Sequence, residues 1–88
     1  MSPIRDLPRE AIEEAVSSTW QRALGVERVR RDDDFYELGG HSILAVRTLL
    51  DVGEALGVTP HLPSFVGRTT PAAVAETFWE LARRRPRP

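Results

Sequence analysis

The 88-residue chain has no cysteine, no lysine and no asparagine. Without cysteine there is neither a disulfide framework nor a thiolate metal site, so folding rests on packing, and the redox compartment leaves no mark. The 12 Lys and Arg positions are all Arg, a usage that points to GC-rich codon bias in the source and not to a function. The longest apolar runs are far too short for a membrane span, and no apolar N-terminal stretch resembles a signal peptide, so a cytoplasmic location is expected. A formal net charge of −1 provides no global field for nucleic acid. Strand-like alternation is also missing. At this length a single domain over 1–88 is expected, with a modest core but no deep cleft walled by a lid. Binding or carrying therefore fits better than complete catalysis.

What the sequence does contain is helical periodicity, which predicts an all-α bundle. A first helix over about 8–24 opens at Pro8, a residue favoured in the first turn. It carries Ile12, Val16, Trp20 and Leu24 at four-residue spacing and stops at Gly25. A long connection follows, "VERVRRDDDFYELGGH", in which Val29, Phe35, Tyr36 and Leu38 are apolar enough to pin it to the bundle. A second helix is predicted over 42–56, ended by Gly57 and Pro60. A short third helix occupies about 62–67, with Phe65 and Val66 facing inward. The last helix covers 71–84, with Thr70 as cap, Pro71 as first helical residue, and Val74, Phe78 and Leu81 as its buried stripe. Residues 85–88 read as a tail.

The second helix is the informative one. At roughly 100° per residue, Ala45, Leu49, Val52 and Leu56 share one side, the expected core face. Ile43, Val46 and Leu50 fall on nearly the opposite side. Periodicity alone leaves two explanations open: a central helix buried on both faces, or a second stripe held out for other proteins.

Ser42 stands at the start of that helix, after the turn Gly39–Gly40–His41. A helix cap is one explanation. A serine hydrolase is a poor one, because His41 is the immediate neighbour and points elsewhere, and because Leu44 stands where a nucleophile elbow requires glycine. His61 lies beyond the helix with no ligand cluster, so no metal site is expected. Asp32–Asp34 lack the alternating spacing of a calcium loop and suit solvated capping. A helix-turn-helix over "GEALGVTPHLPSFVGR" would place Pro63 inside the recognition helix, at a cost of about 3 kcal/mol or more. A phosphate-linked group suits the serine better. The glycines leave room for a modifying enzyme, and a helix start offers free N–H groups and a positive dipole end to a phosphodiester.

These residues carry a resemblance. "DDDFYELGGHSILAVRTLLDV" closely resembles the core motif of peptidyl carrier protein (thiolation) domains of nonribosomal peptide synthetases, with "WQRALGV" and "TTPAAVAETF" matching the end of helix one and the final helix. The resemblance implies a four-helix acyl carrier protein-like bundle that is not itself an enzyme. Ser42 would receive 4'-phosphopantetheine from coenzyme A through a phosphopantetheinyl transferase, with Gly39, Gly40 and His41 around the attachment point. The arm's thiol would hold aminoacyl or peptidyl groups as thioesters. Ile43, Val46, Arg47 and Leu50 would meet the transferase and the adenylation, condensation, thioesterase or tailoring domains. The resemblance suggests a monomer with neither nucleic acid nor membrane as partner. His41 would serve through shape and contact and not as a base. Acyl carriers of fatty acid or polyketide type remain the near alternative, although these tend to have "DS" where this chain has His41–Ser42. Thr69 stands where the family usually has proline.

Overall fold

The computed structural model describes residues 6–84. Three α-helices and one short 3-10 helix follow in chain order: α1 Arg9–Leu24, α2 Ser42–Leu56, the 3-10 helix Leu62–Phe65, and α3 Pro71–Arg84. The architecture is all-α, with no strand among the described residues. The expected third helix is thus a single 3-10 turn that ends at Phe65, because the chain leaves helical geometry at Val66 (ψ 127°). Pro8 proves to be the cap residue of α1, with extended backbone (ψ 158°), so the helix proper opens at Arg9. The tail over 85–88 lies outside the described residues.

Packing follows the apolar stripes. Ile12, Val16 and Trp20 of α1, Val52 of α2 and Val74, Ala75, Phe78 and Ala82 of α3 form the core. Each large side chain fully buried there contributes about 1.5–3 kcal/mol. Leu24 of α1 and Leu81 of α3 lie at its margin, partly buried. α1 and α2 both stop on glycines in the left-handed conformation, Gly25 (φ 67°) and Gly57 (φ 76°), which a side chain would strain. After Gly57 the chain doubles back, and the Val58 N–H donates to Gly53 O. A Cβ on Gly53 would run into Val58 O and the Pro60 ring, so this helical position is buried by the returning chain and not by the bundle.

Three threonines that no apolar pattern marks are buried, Thr19, Thr48 and Thr77. The hydroxyls of Thr48 and Thr77 donate to Ala45 O (2.8 Å) and Ala73 O (2.9 Å) of their own helices. A satisfied threonine then packs through its methyl as a β-branched apolar residue does. On α2 the core face accordingly centres on Thr48 and Val52, with Ala45, Leu49 and Leu56 partly buried beside them.

The long connection between α1 and α2 is tied down at several points. Val29 and Phe35 are buried, and the Phe35 ring meets Trp20 edge-on with centroids 4.9 Å apart. The Phe35 N–H donates to Thr69 O (2.8 Å), and the Ala72 N–H donates to Arg31 O (3.0 Å), which clamps the loop to the start of α3. Arg31 also reaches Glu13 of α1 at 3.2 Å. Phe65 stacks at a tilt on Phe78, 4.7 Å between centroids, and fixes the 3-10 turn to α3. Two expectations change here. Val66 is 82% exposed, because it lies past the end of the 3-10 turn, where the chain has left helical geometry (φ −59°, ψ 127°). Tyr36 is half exposed; its ring leans edge-on against Phe35 and does not enter the core.

Candidate functional site

The site is built by a tight turn. Asp34 begins it: one carboxylate oxygen accepts from the backbone N–H of Tyr36 (2.9 Å) and Glu37 (3.1 Å). Its carboxyl is held below the ordinary value by the hydrogen bond from the Thr69 side chain first, then by the Glu37 N–H. Asp33 does the same service one residue earlier, accepting from the Arg30 N–H at 2.8 Å. Asp33 and Asp34 of the aspartate run are thus turn caps, as short side chains of this type favour.

The two glycines differ in purpose. Gly39 has φ 104° with open space where a Cβ would lie, so its need is conformational. Gly40 has no positive φ, but a Cβ there would collide with the Phe35 ring. Gly39 thus serves the turn through its backbone angle, whereas at Gly40 the space a side chain would take belongs to Phe35. The Gly40 N–H donates to Phe35 O (3.0 Å), so the same residue holds the glycine by ring and by backbone.

α2 then begins at Ser42, and the cap is His41. Its backbone is extended (φ −142°, ψ 171°), its Nδ1 accepts from the Leu44 N–H at 3.3 Å, and its carbonyl accepts from the Ala45 N–H at 2.8 Å. Ser42 is consequently an exposed first residue of the helix, free of capping duty. Two first-turn donors remain, the N–H groups of Ser42 and Ile43, which make no backbone hydrogen bond outside the helix among the described residues. Their aligned dipoles suit an anionic ester on the neighbouring hydroxyl. The residues present therefore fit a serine-linked phosphodiester: the hydroxyl is exposed, its neighbour supplies the cap, and unpaired donors adjoin it.

The expected docking residues come together on one face. Ile43 is 80%, Val46 42% and Leu50 48% exposed, with Arg47 exposed among them. The explanation in which α2 is buried on both sides does not hold. Beside this face a cavity of about 300 Å³ opens between α2, the loop and the 3-10 helix, lined by Tyr36, Ser42, Val46, Leu49, Leu62 and Val66 among others. Tyr36, Leu62 and Val66 extend the exposed apolar surface beyond α2, a contribution that the α2 pattern could not show. Among the described residues no group of three or more His, Cys, Asp or Glu side chains could hold a metal, and no helix is long and apolar enough to cross a membrane.

An all-α bundle with an exposed serine at the head of an apolar-faced helix is the arrangement expected of a carrier domain. Residues 14–78 match the family described as "Phosphopantetheine attachment site". The chain belongs to that family, whose members are non-catalytic carriers of covalently attached 4'-phosphopantetheine. It is 44% identical over 69 residues, 78% of its length, to one of the linear gramicidin synthase proteins of Brevibacillus parabrevis. Against malpinin synthetase of Mortierella alpina it is 36% identical over 75 residues, 85% of its length. In each case the chain spans 1% of the relative. The fold is similar to that of BlmI, a type-II acyl-carrier-protein from Streptomyces verticillus involved in bleomycin biosynthesis: TM-score 0.76, 26% identity, covering 83% of this chain and 88% of that one.

Proposed function

We propose that Ser42 is the attachment residue and that the chain tethers aminoacyl or peptidyl intermediates in nonribosomal peptide assembly. The observation that carries the attachment is the division of labour at the head of α2: His41 caps, and Ser42 stands exposed with two unpaired N–H donors beside it. The likeness to linear gramicidin synthase proteins supports the cargo class. In the loading reaction the Ser42 oxygen forms a bond to phosphorus of the coenzyme A pyrophosphate, the adenosine bisphosphate leaves, and the serine proton passes to the transferase, which supplies base and magnesium. When bound, the group supplies the thiol that this cysteine-free chain lacks, and cargo is held on it as a thioester.

The chain's own residues position and present. The N–H groups of Ser42 and Ile43 would hold the phosphodiester, and Gly39 with Gly40 fixes the approach to the helix. Ile43, Val46, Arg47 and Leu50 form the face that the transferase and the adenylation, condensation, thioesterase or tailoring domains would recognise. We place this activity in the cytoplasm, where coenzyme A is available, and assign it to a monomeric domain spanning residues 1–88. Incubation with coenzyme A and a broad-specificity phosphopantetheinyl transferase should add one group per chain, and Ser42→Ala should abolish the gain in mass. A Ser42→Ala protein that still gains mass would sink the assignment.

A further inference from the structure

The usual cap residues are Ser, Thr, Asp and Asn, whose short side chains turn an oxygen back onto the first turn. Here the acceptor is an imidazole nitrogen. For Nδ1 of His41 to accept from the Leu44 N–H, its lone pair must be free, so the ring is neutral and carries its proton on Nε2. The consequence reaches the next residue. Were Ser42 the cap, its hydroxyl would be engaged by a backbone N–H of the first turn and its backbone would be extended. Because His41 takes that part, α2 begins one residue earlier and Ser42 adopts helical geometry with its oxygen disengaged.

Residue 41 is also held from both sides. Behind it, Gly40 is bonded to Phe35 O and wedged under the Phe35 ring; ahead of it, His41 O accepts from the Ala45 N–H. The imidazole bond to Leu44 is the remaining tie, and the one that depends on a side chain at this position.

We propose that His41 is a positioning residue for Ser42: as a neutral-imidazole cap it sets where α2 starts and leaves the Ser42 hydroxyl free for transfer. This rests on Ser42 being the attachment residue. The function asked of position 41 is an acceptor at cap distance, and histidine chemistry as such is not required. Asparagine, whose side-chain oxygen accepts in the same way, should therefore replace it, and alanine should not.

The test uses the full chain and His41→Ala and His41→Asn, with two readouts. The first is exchange of the Leu44 amide hydrogen in the unmodified protein, which needs no transferase. A cap contributes about 0.5–2 kcal/mol, so its loss should speed that exchange roughly 2- to 30-fold. The second is the rate of phosphopantetheine transfer by a purified transferase, with kcat and KM separated. His41→Ala should lower kcat by a comparable factor with KM nearly unchanged, since the docking face is intact and only the hydroxyl is misplaced. His41→Asn should restore both readouts to within about twofold. Unchanged Leu44 exchange in His41→Ala overturns the cap. Recovery of exchange but not of kcat in His41→Asn overturns the positioning role and assigns the imidazole a direct contact with the transferase. If the wild-type chain is not modified on Ser42, the attachment fails and the positioning role with it, while the Leu44 exchange separately decides whether the cap exists.

Discussion

The two faces of α2 are made of similar side chains and live in opposite environments. On one, Thr48 and Val52 are 2% and 0% exposed; on the other, Ile43 is 80% exposed. A threonine lies inside and an isoleucine outside, which a ranking by hydropathy would reverse. The threonine is admitted because its hydroxyl is satisfied by Ala45 O within the helix. The isoleucine is excluded by geometry, for α1 packs on the far side of α2 and nothing in the described residues covers the near side. Apolar side chains kept in water at Ile43, Val46 and Leu50 add little to the stability of the fold, which agrees with the docking role proposed for them.

The contrast breaks most sharply if a carboxylate is put on each face in turn. Val52→Asp buries an unpaired charge and should cost about 3–5 kcal/mol, most of the stability of a small domain, abolishing a cooperative thermal transition. Ile43→Asp should move the midpoint by only a few degrees, within about 0.5 kcal/mol, while loading by a cognate adenylation domain falls. Equal unfolding by the two variants would show that both faces are core.

A smaller effect separates the two glycines before the helix. Gly40→Ala must displace the Phe35 ring and should cost about 1–3 kcal/mol, visible in chemical denaturation and in a changed near-ultraviolet signal from Trp20. Gly39→Ala meets no atoms and pays only for its backbone angle, about 1–2 kcal/mol, with Trp20 undisturbed. Indistinguishable Trp20 signals would rule out the Phe35 wedge.

The smallest effect is electrostatic. The Asp34 carboxyl titrates below its ordinary value in the folded chain, so its contribution is present above the unfolded pKa and is lost as pH falls through the lower, folded one. Thr69→Ala removes the largest cause and should move the Asp34 titration, followed by NMR, up toward the ordinary carboxylate range. Wild type should then be the more stable of the two near neutrality, with the difference vanishing in acid. A titration unmoved by Thr69→Ala would detach the loop latch from Thr69.

Much of this was legible in the sequence, for identifiable reasons. Four-residue spacing of Ile12, Val16 and Trp20, and Gly57 as a stop, report directly on helical geometry. The exposed stripe on α2 was visible as a pattern, although only the packing of α1 on the opposite side decided its environment. Other features resist a reading along the chain. Histidine is not among the preferred caps, so the role of His41 hid behind Ser42, whose type advertises it. Burial of Thr48 and Thr77 depends on a hydroxyl finding its own helix. The outward turn of Val66 depends on the chain leaving helical geometry directly after Phe65. The need for glycine at position 40 is set by Phe35, five residues away, through contact.

The most direct measurement is a fragmentation mass spectrum of the protease-cleaved, phosphopantetheinylated chain. The whole added mass is expected on Ser42, with Ser2, Ser17, Ser18, Ser64 and every threonine unmodified. Added mass on any of those hydroxyls, or an unmodified Ser42 in a chain that transferases otherwise label, would contradict the assignment of Ser42 as the attachment residue.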